Sequence, residues 1–425
     1  MKLSSVAVHA PLLRLLRLLR ASVLPSLALC SSFAAAAAAT EVLVTTARFG
    51  DLEFDWGRDG VYCPTCNGGD GNNRFNWVDR QGRLWIGYVD HATGAIYPSN
   101  GRGTLVDTNV AYYSDFGNGP EWLFWQGDSQ LVYTRYVDLA NPTPETTGVA
   151  LATQTGGSWS AGFIEGGMGH ITPAPSQTVG DAVPRMAYAS ATDGSIHWRT
   201  MGSAVGPEQR APWRSIGLSV RWVPGSTQLA FVNGKPAADG RRYQQIFVFD
   251  SDTNQVEQLT FEPEQKRGVF MFPAPEFGGD LTYFTVANRT EVRVYRYMLG
   301  DDGLRRWTLV HTVRGPADVP YMATPEPFIH NGRTWLTMTL SSSKRASDIT
   351  VPTDLALASI DPANPSFRRL TDASSPRRLR QDPEYYITAA GPFLYFTRAV
   401  PATASSGPVN EGVFRVDLGL GPAQP

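Results

Sequence analysis

Three Pro-Glu pairs recur in this 425-residue chain at one fixed distance from an apolar segment. Glu121, Glu326 and Glu384 each stand ten residues before a leucine in a β-rich run. Carboxylates that converge raise one another's pKa, and such groups serve as acid and base or hold a cation. The alternative is structural: each glutamate binds strand backbone or pairs with a nearby arginine, such as Arg135 or Arg380.

Five further side chains are predicted to complete a site around these glutamates. Ser176 and Arg221 fall in or near the same slot of other segments. Trp122 and Tyr385 are predicted to contact a ligand, although most tryptophans of the chain are expected in the core. His170 follows a glycine-rich stretch and is predicted to act as a base, with a hydrogen-bonded loop histidine as the alternative.

Two segments share one frame and indicate that the chain is built from repeats. Asp250 lies ten residues before Thr260 in a frame ending Gln-Leu-Thr, and Asp361 lies ten residues before Thr371 in a frame ending Arg-Leu-Thr. The two copies are 111 residues apart, which fits two units with a period of about fifty residues. Because a unit of short strands cannot bury both of its faces alone, the period favours radial repetition.

The clearest unit spans residues 222 to 260. It opens with Trp222-Val-Pro-Gly, continues through Ile246-Phe-Val-Phe-Asp250 and ends at Leu259-Thr260. This pattern resembles the TolB-type, WD40-like (PD40) propeller repeat, in which a Pro-Gly turn is followed by I-x-V-x-D, another turn and L-T. The resemblance covers this unit well and the other units loosely, and it implies a β-propeller.

We therefore predict an all-β fold, a β-propeller with seven four-stranded blades, with six or eight blades left open. Residues 72–420 are assigned to the propeller, residues 40–71 to a closing strand and a Cys/Gly-rich loop, and residues 421–425 to a C-terminal tail. Residues 40–46 form a strand without a unit of its own, while the last unit ends after its third strand. The N-terminal strand is therefore expected to complete the last blade.

Residues 1–39 are predicted to be a signal peptide. Basic residues precede an apolar run at 23–33, and an alanine run at 34–39 supplies a cleavage site. A membrane anchor is the alternative, but the apolar run is short for a span. We expect a periplasmic or secreted protein without a stable membrane span after cleavage.

The exported chain keeps two cysteines, Cys63 and Cys66, in the sequence Cys-Pro-Thr-Cys. In an oxidising compartment a local disulfide is the favoured interpretation, since a zinc site would need further ligands nearby. No metal site and no cofactor are predicted. Calcium held by Asp70 and Asn72, or bound in the channel, stays open as an alternative.

The charge and the motifs limit the function. With 37 Lys and Arg against 39 Asp and Glu, the chain has no field for a polyanion, so no nucleic-acid partner is expected. Phosphate-binding glycine loops and the GxSxG elbow are missing from the sequence. The favoured function is an exported binding or scaffold module with a polysaccharide or protein ligand at the channel face. The alternative is a carbohydrate-active enzyme, a polysaccharide lyase or glycosidase, at the channel mouth.

Overall fold

The computed structural model describes residues 40–55, 73–100, 102–111, 119–176, 178, 183–214, 220–345, 347–372 and 376–424. The regular elements within these ranges are β-strands and two 3-10 turns, Pro144–Thr146 and Pro275–Phe277. The strands form seven antiparallel sheets, the blades of a β-propeller. The predicted all-β fold and the predicted seven blades are confirmed. No helix in the described ranges has the length and apolarity to cross a bilayer.

The first strand, β1, is Val42–Thr45. Blade 1 contains β2 Gly50–Phe54, β3 Asn73–Val78, β4 Leu84–Val89, β5 Ile96–Tyr97 and β6 Thr104–Asp107, the last two sharing β4 as their partner. Blade 2 contains β7 Glu121–Trp125, β8 Asp128–Tyr136, β9 Thr147–Thr155 and β10 Ser158–Met168. Blade 3 contains β11 His170–Pro175, β12 Arg185–Ser190, β13 Ser195–Thr200 and β14 Gln209–Arg214.

The second half of the chain forms four further blades in the same way. Blade 4 contains β15 Val220–Trp222, β16 Gln228–Pro236, β17 Arg242–Asp250 and β18 Gln255–Gln258. Blade 5 contains β19 Lys266–Pro273, β20 Leu281–Ala287, β21 Glu291–Leu299 and β22 Arg305–Arg314. Blade 6 contains β23 Tyr321–His330, β24 Arg333–Ser341, β25 Thr353–Ser359 and β26 Phe367–Arg369. Blade 7 contains β27 Leu379–Thr388, β28 Gly391–Val400 and β29 Val409–Asp417.

The N-terminal strand closes the ring, as the sequence predicts. β1 pairs antiparallel with β29 and gives blade 7 its fourth strand. Glu41, directly before β1, accepts hydrogen bonds from Arg380, whose Nε lies 2.9 Å away, and from Arg398. Because the Arg380 side chain is fully buried, this ion pair fastens the N-terminal strand to the interior of blade 7.

The propeller begins earlier than residue 72, the start assigned from the sequence. β2 at Gly50–Phe54 is the innermost strand of blade 1, and residues 56–72 separate it from its partner β3. The Cys/Gly-rich loop is thus an insertion within the first hairpin of blade 1. Cys63, Cys66, Asp70 and Asn72 lie outside the described residues, as do residues 1–39.

The repeated Leu-Thr frame has one structural meaning in blades 4 and 6. The Thr260 hydroxyl accepts the Ile246 N–H at 2.9 Å, and the Thr371 hydroxyl accepts the Leu355 N–H at 2.9 Å. In each frame the preceding leucine donates its own N–H to the carbonyl of that same third-strand residue. The outermost segment of the blade is therefore fixed to the third strand by side-chain and backbone bonds together.

Buried side chains fill the spaces between neighbouring blades. Within the described residues, seven apolar clusters each combine side chains of two adjacent blades. The cluster between blades 7 and 1 stacks Phe54 on Tyr386 with ring centres 5.2 Å apart. Each sheet therefore buries both of its faces against neighbouring blades, and closure of the ring leaves no blade with an uncovered face.

Candidate functional site

One position of the innermost strand recurs around the central channel. In blades 1, 3, 5, 6 and 7 the strand is bulged, and the first paired residue after the bulge defines this channel position. The strands of blades 2 and 4 are shorter, and the equivalent residue stands at or near their start. The seven residues in blade order are Glu53, Glu121, Ala174, Arg221, Phe270, Glu326 and Glu384.

The bulges aim two of the glutamates at the channel. Thr324 and Asp382 have positive φ values of 45° and 55°, and each is followed by Pro-Glu. A residue other than glycine reaches this backbone region at a cost of about 1 kcal/mol, so the turn must be fixed by its surroundings. A bulge bends the strand and redirects the following side chain, here Glu326 and Glu384.

Glu326, Glu384, Glu53 and Glu121 belong to the consecutive blades 6, 7, 1 and 2, and we call them the acidic arc. Glu53 interacts electrostatically with both Glu121 and Glu326 and shares a side-chain hydrogen bond with Glu121. Blades 1 and 6 are not neighbours, because blade 7 lies between them. The carboxylates of the acidic arc therefore meet across the mouth of the channel.

Burial and mutual repulsion raise the pKa values of two glutamates of the acidic arc. Burial raises the pKa of Glu53 well above its usual range, and the negative charge of Glu121 raises it further. Burial is also the main cause of the raised pKa of Glu384, and the negative charges of Glu326 and Asp382 raise it further. Carboxyl groups placed this close retain protons that isolated groups would release.

Arg221 offsets part of the negative charge. Its Nη1 lies 3.3 Å from Glu121 Oε1, and the positive charge lowers the pKa of Glu53. The guanidinium carbon is also 5.4 Å from the centre of the Phe270 ring. Blade 3 lies between the blades that carry Arg221 and Glu121. Its residue at the channel position is Ala174, whose small side chain leaves room for Arg221 to reach Glu121.

A buried amide lies beside the acidic arc. Asn76 pairs with Glu53 across β2 and β3, so the two side chains share one face of blade 1. Its Nδ2 donates to the Pro120 carbonyl at 3.4 Å, but its Oδ1 has no hydrogen-bond partner. Asn76 is fully buried, so this oxygen is an acceptor that a donor or a cation could satisfy.

Two residues predicted to contact a ligand, Trp122 and Tyr385, are packed between blades. Trp122 is fully buried, and its Nε1 donates to the Glu53 carbonyl at 3.2 Å. Tyr385 is 7% exposed and stacks on Phe328 at 4.7 Å. Each residue directly follows a glutamate of the acidic arc, and successive strand residues point to opposite faces of the sheet. The glutamates face the next blade and the channel, whereas these rings pack against the preceding blade.

Ser176 and His170 also lie away from the acidic arc. Ser176 follows the channel position of blade 3 by two residues, and its hydroxyl accepts the Arg185 N–H at 2.8 Å. His170 begins β11, but its ring lies 4.6 Å from that of His197 on β13. Burial lowers the pKa of His170, while the charge of Glu208 opposes this shift. The predicted partnership of His170 with the channel glutamates is not found.

The sequence analysis missed Glu53 and Asp382. Glu53 occupies the channel position of blade 1, but the inserted loop removes the ten-residue spacing that identified the other glutamates. Asp382 lies on the bulge of β27 directly before Pro383-Glu384, and its charge contributes to the raised pKa of Glu384. An acidic residue in an x-Pro-Glu segment was the available signal for Asp382.

The fold and the channel define a seven-bladed, WD40-like β-propeller, and comparisons with known proteins add little beyond that class. A scan against protein-family models finds no match, and a search of curated proteins finds none either. The β-propeller domain of Cps50 (Swd1) from Myceliophteria thermophila is similar, with 11% identity and a TM-score of 0.48 over 89% of this chain and 100% of that chain.

Two other solved structures are similar at the same low level. The β-propeller domain of the Trilobed protease from Pyrococcus furiosus has 10% identity and a TM-score of 0.45, over 90% of this chain and 97% of that chain. An α-L-arabinofuranosidase from Lactobacillus brevis has 12% identity and a TM-score of 0.33, over 57% and 89%. Such values carry no argument about function.

Proposed function

We propose that this chain is an exported β-propeller that serves as a binding or scaffold module, and that the acidic arc binds a basic side chain of a protein ligand. The observation that carries the proposal is the meeting of four carboxylates from four consecutive blades. A lysine ammonium or an arginine guanidinium supplies several N–H donors and reduces the repulsion among these carboxylates. A bound cation therefore gains hydrogen bonds and at the same time reduces the repulsion among the carboxylates, and both effects favour binding.

Asn76 supports a ligand that carries donors. Its buried Oδ1 lies on the face of blade 1 that also carries Glu53, and it has no hydrogen-bond partner. An unsatisfied buried acceptor costs about 1–3 kcal/mol, which a donor group would recover. The amide oxygen therefore favours an N–H donor over an apolar or anionic group.

The carbohydrate-active alternative has weaker support. An acidic mouth repels a uronic-acid polymer, and Arg221, which could bind a substrate carboxylate, is engaged by Glu121. Glu53 and Glu121 share a hydrogen bond, whereas glycosidases keep their two carboxyl groups roughly 5 to 9.5 Å apart. These geometries favour binding over bond cleavage at the channel mouth.

The test uses hexalysine as the probe, with binding followed by calorimetry at physiological salt. A bound ammonium favours the ionised form of each carboxyl, and the charge-assisted hydrogen bond it then makes contributes about 1.5–3 kcal/mol. Glu53→Gln and Glu384→Gln should therefore each weaken binding by about tenfold or more. Glu257→Gln is the matched control, because Glu257 is an exposed glutamate on the outermost strand of blade 4. Its affinity should equal that of the unchanged protein.

Three results would overturn the proposal. Equal loss of affinity in all three variants would show a non-specific charge effect. Calcium binding that hexalysine does not displace would identify a cation site instead. Release of unsaturated or reducing ends from alginate, polygalacturonate or neutral polysaccharides, abolished by Glu384→Gln, would establish the enzyme.

Export rests on residues 1–39, and assignment to the TolB-type repeat family rests on the shared Leu-Thr frames of blades 4 and 6. Both are proposals. Intact-mass analysis of the protein from the periplasmic and secreted fractions should show a mature chain that starts at the alanine run 34–39. The same measurement, with and without reduction and thiol labelling, tests the Cys63–Cys66 disulfide. Recovery of the full-length chain from membranes would favour the anchor.

A further inference from the structure

A second group of polar side chains lies on one face of blade 3, away from the channel. We call His170, His197 and Glu208 the blade 3 cluster. One ligand atom of each residue lies within 4.8 Å of the other two. His197 Nδ1 is 2.8 Å from Glu208 Oε1, and His170 Nδ1 is 3.6 Å from Glu208 Oε2. Two imidazoles and one carboxylate thus point at a common centre.

Strand pairing explains why these distant residues meet. His197 on β13 pairs directly with Tyr188 on β12, so their side chains share a face. His170 on β11 lies against the same tyrosine, with ring centres 4.8 Å apart. Tyr188 belongs to the apolar cluster between blades 2 and 3. The blade 3 cluster is therefore seated on a rigid, packed surface.

An independent observation indicates a ligand at this centre. His170 is 8% exposed, and its Nδ1 has no hydrogen-bond partner. This nitrogen faces Glu208 across 3.6 Å, which exceeds a hydrogen bond. A buried imidazole nitrogen directed at a carboxylate without bonding to it is suited to share a metal ion with that carboxylate.

The surrounding groups orient the three side chains. Ser195 Oγ lies 2.9 Å from His197 Nε2, which leaves Nδ1 of that ring directed at Glu208. The Tyr188 hydroxyl donates to Glu208 Oε2 at 3.0 Å, and Arg199 donates to the same oxygen at 3.3 Å. Oε1 faces His197 Nδ1, and Oε2 is the oxygen nearer to His170. Outer contacts of this kind fix the rotamer and tautomer of metal ligands.

We propose that His170, His197 and Glu208 bind a divalent transition-metal ion, with zinc as the ion that this donor set favours. Two histidines and one glutamate, with a fourth position left for water or another ligand, is a known three-ligand zinc set. Zinc bonds of about 2.0–2.1 Å place tetrahedral ligand atoms roughly 3.3 Å apart, so on binding His197 Nδ1 and Glu208 Oε1 would separate from 2.8 Å while the more distant ligand atoms would approach. The charge of Arg199 opposes the cation and moderates its affinity.

Ser195, His197 and Glu208 are also linked by successive hydrogen bonds, like the serine, histidine and acid of a hydrolytic triad. Ser195 is 3% exposed, so a substrate carbonyl has no access to its hydroxyl. The Ser195 hydroxyl also hydrogen-bonds the Asp193 carboxylate. Ser195 therefore fits the role of a positioning residue for His197 better than that of a nucleophile.

The experiment uses the whole protein in a Cys63→Ser, Cys66→Ser background, which removes thiols that could bind zinc. After treatment with a chelator, zinc is titrated in competition with a chromophoric indicator, and cobalt is added separately for its visible spectrum. We expect one saturable ion per chain, a four-coordinate cobalt spectrum and a higher melting temperature with zinc. Binding that stays weak and unsaturated, or that exceeds one site without affecting melting, would overturn the proposal.

Variants locate the ion. His170→Gln and Glu208→Gln should each lower zinc affinity by more than the roughly 10–100-fold that loss of an outer partner costs. His311→Gln on β22 is the histidine control and should bind zinc normally. The cobalt spectrum keeps the test valid if one variant folds poorly, because the remaining folded variant must still lose it. Retention of the spectrum in both variants would contradict the assignment.

Discussion

The acidic arc and the blade 3 cluster are assembled in opposite ways. The acidic arc takes one residue from each of four blades, always from the channel position of the innermost strand. The blade 3 cluster takes its residues from the first and third strands of one blade and from the segment before the fourth. The difference shows that a repeat fold can build a site by convergence of equivalent positions or by decoration of a single repeat.

The two sites therefore depend on different parts of the fold. The acidic arc requires that blades 6, 7, 1 and 2 keep their places around the axis, and the contact between β1 and β29 secures that ring. The blade 3 cluster depends on the pairing of β11, β12 and β13 and on packing against blade 2. A change at the closure should disturb the first site and spare the second.

Glu41→Gln should give the largest effect. It removes the Glu41 carboxylate from the fully buried Arg380 and leaves Asp354, 4.0 Å from Arg380 Nη1, as a more distant partner. Breaking a buried pair costs about 3–5 kcal/mol. Urea unfolding should show this loss, with weaker hexalysine binding and unchanged zinc affinity in the folded protein. The control Glu411→Gln removes a more exposed partner of Arg398 and should cost about 0–1 kcal/mol. Equal losses would contradict the closure argument.

Arg221→Met should give the next largest effect. The variant keeps an unbranched apolar chain near Phe270 but removes the charge that lies 3.3 Å from Glu121. Loss of a hydrogen bond to a charged group should cost about 1–3 kcal/mol at neutral pH. At pH values near 4.5 the loss should shrink, because the carboxyl of Glu53, whose pKa burial raises and Arg221 lowers, is then more fully protonated. Arg221→Lys keeps the charge. If this variant loses as much unfolding free energy as Arg221→Met, packing rather than charge is responsible.

Glu53→Gln should mainly change how the free energy of unfolding varies with pH, with a smaller change in its value at any one pH. The folded pKa of Glu53 lies above the unfolded value of about 4.3, so the folded state holds the extra proton between them. This contribution to stability is fully present below the unfolded pKa and is lost as the pH rises through the raised folded pKa. The variant should therefore lose less stability on going from mild acid to neutral pH than the unchanged protein.

Unfolding free energies measured across that pH range, compared with those of Glu257→Gln, test the Glu53 prediction. The gain of Glu53→Gln over the control at neutral pH should be smaller than the loss caused by Arg221→Met. A steeper decline with pH in Glu53→Gln would contradict the raised pKa and the crowding of the acidic arc.

The way in which each site is assembled also determines which of its residues can be predicted from the sequence. Glu121, Glu326 and Glu384 were found because one hairpin length recurs, and a recurring length reports an equivalent place in a repeat. Glu53 was missed because residues 56–72 interrupt its hairpin, so Phe75, which pairs with Phe54, follows Glu53 by 22 residues. The fold itself was predictable because strand patterns survive such insertions.

The blade 3 cluster has no comparable signal in the sequence. His170, His197 and Glu208 are separated by 27 and 11 residues, and no short ligand motif joins them. Their meeting depends on which strand residues stand opposite each other, and one residue of slip would reverse every side chain. The pleat of a strand also explains why Trp122 and Tyr385 pack away from the glutamates that precede them, since adjacent residues on a strand point to opposite faces.

Ser195→Ala should give the smallest change in stability, and it separates positioning from packing in the blade 3 cluster. The lost hydroxyl contacts His197 Nε2 at 2.9 Å and makes no metal contact in the proposed site. We expect a cost of about 1 kcal/mol or less in urea unfolding, but zinc affinity about tenfold weaker, because the imidazole loses the group that orients it. Ser226→Ala is the control, since the Ser226 hydroxyl donates to the Val223 carbonyl and accepts the Gln228 N–H in a turn of blade 4. Hexalysine binding should be the same in both variants. If the two lower zinc affinity equally, the hydroxyl of Ser195 does not position His197, and the metal ligands are held by packing against Tyr188 alone.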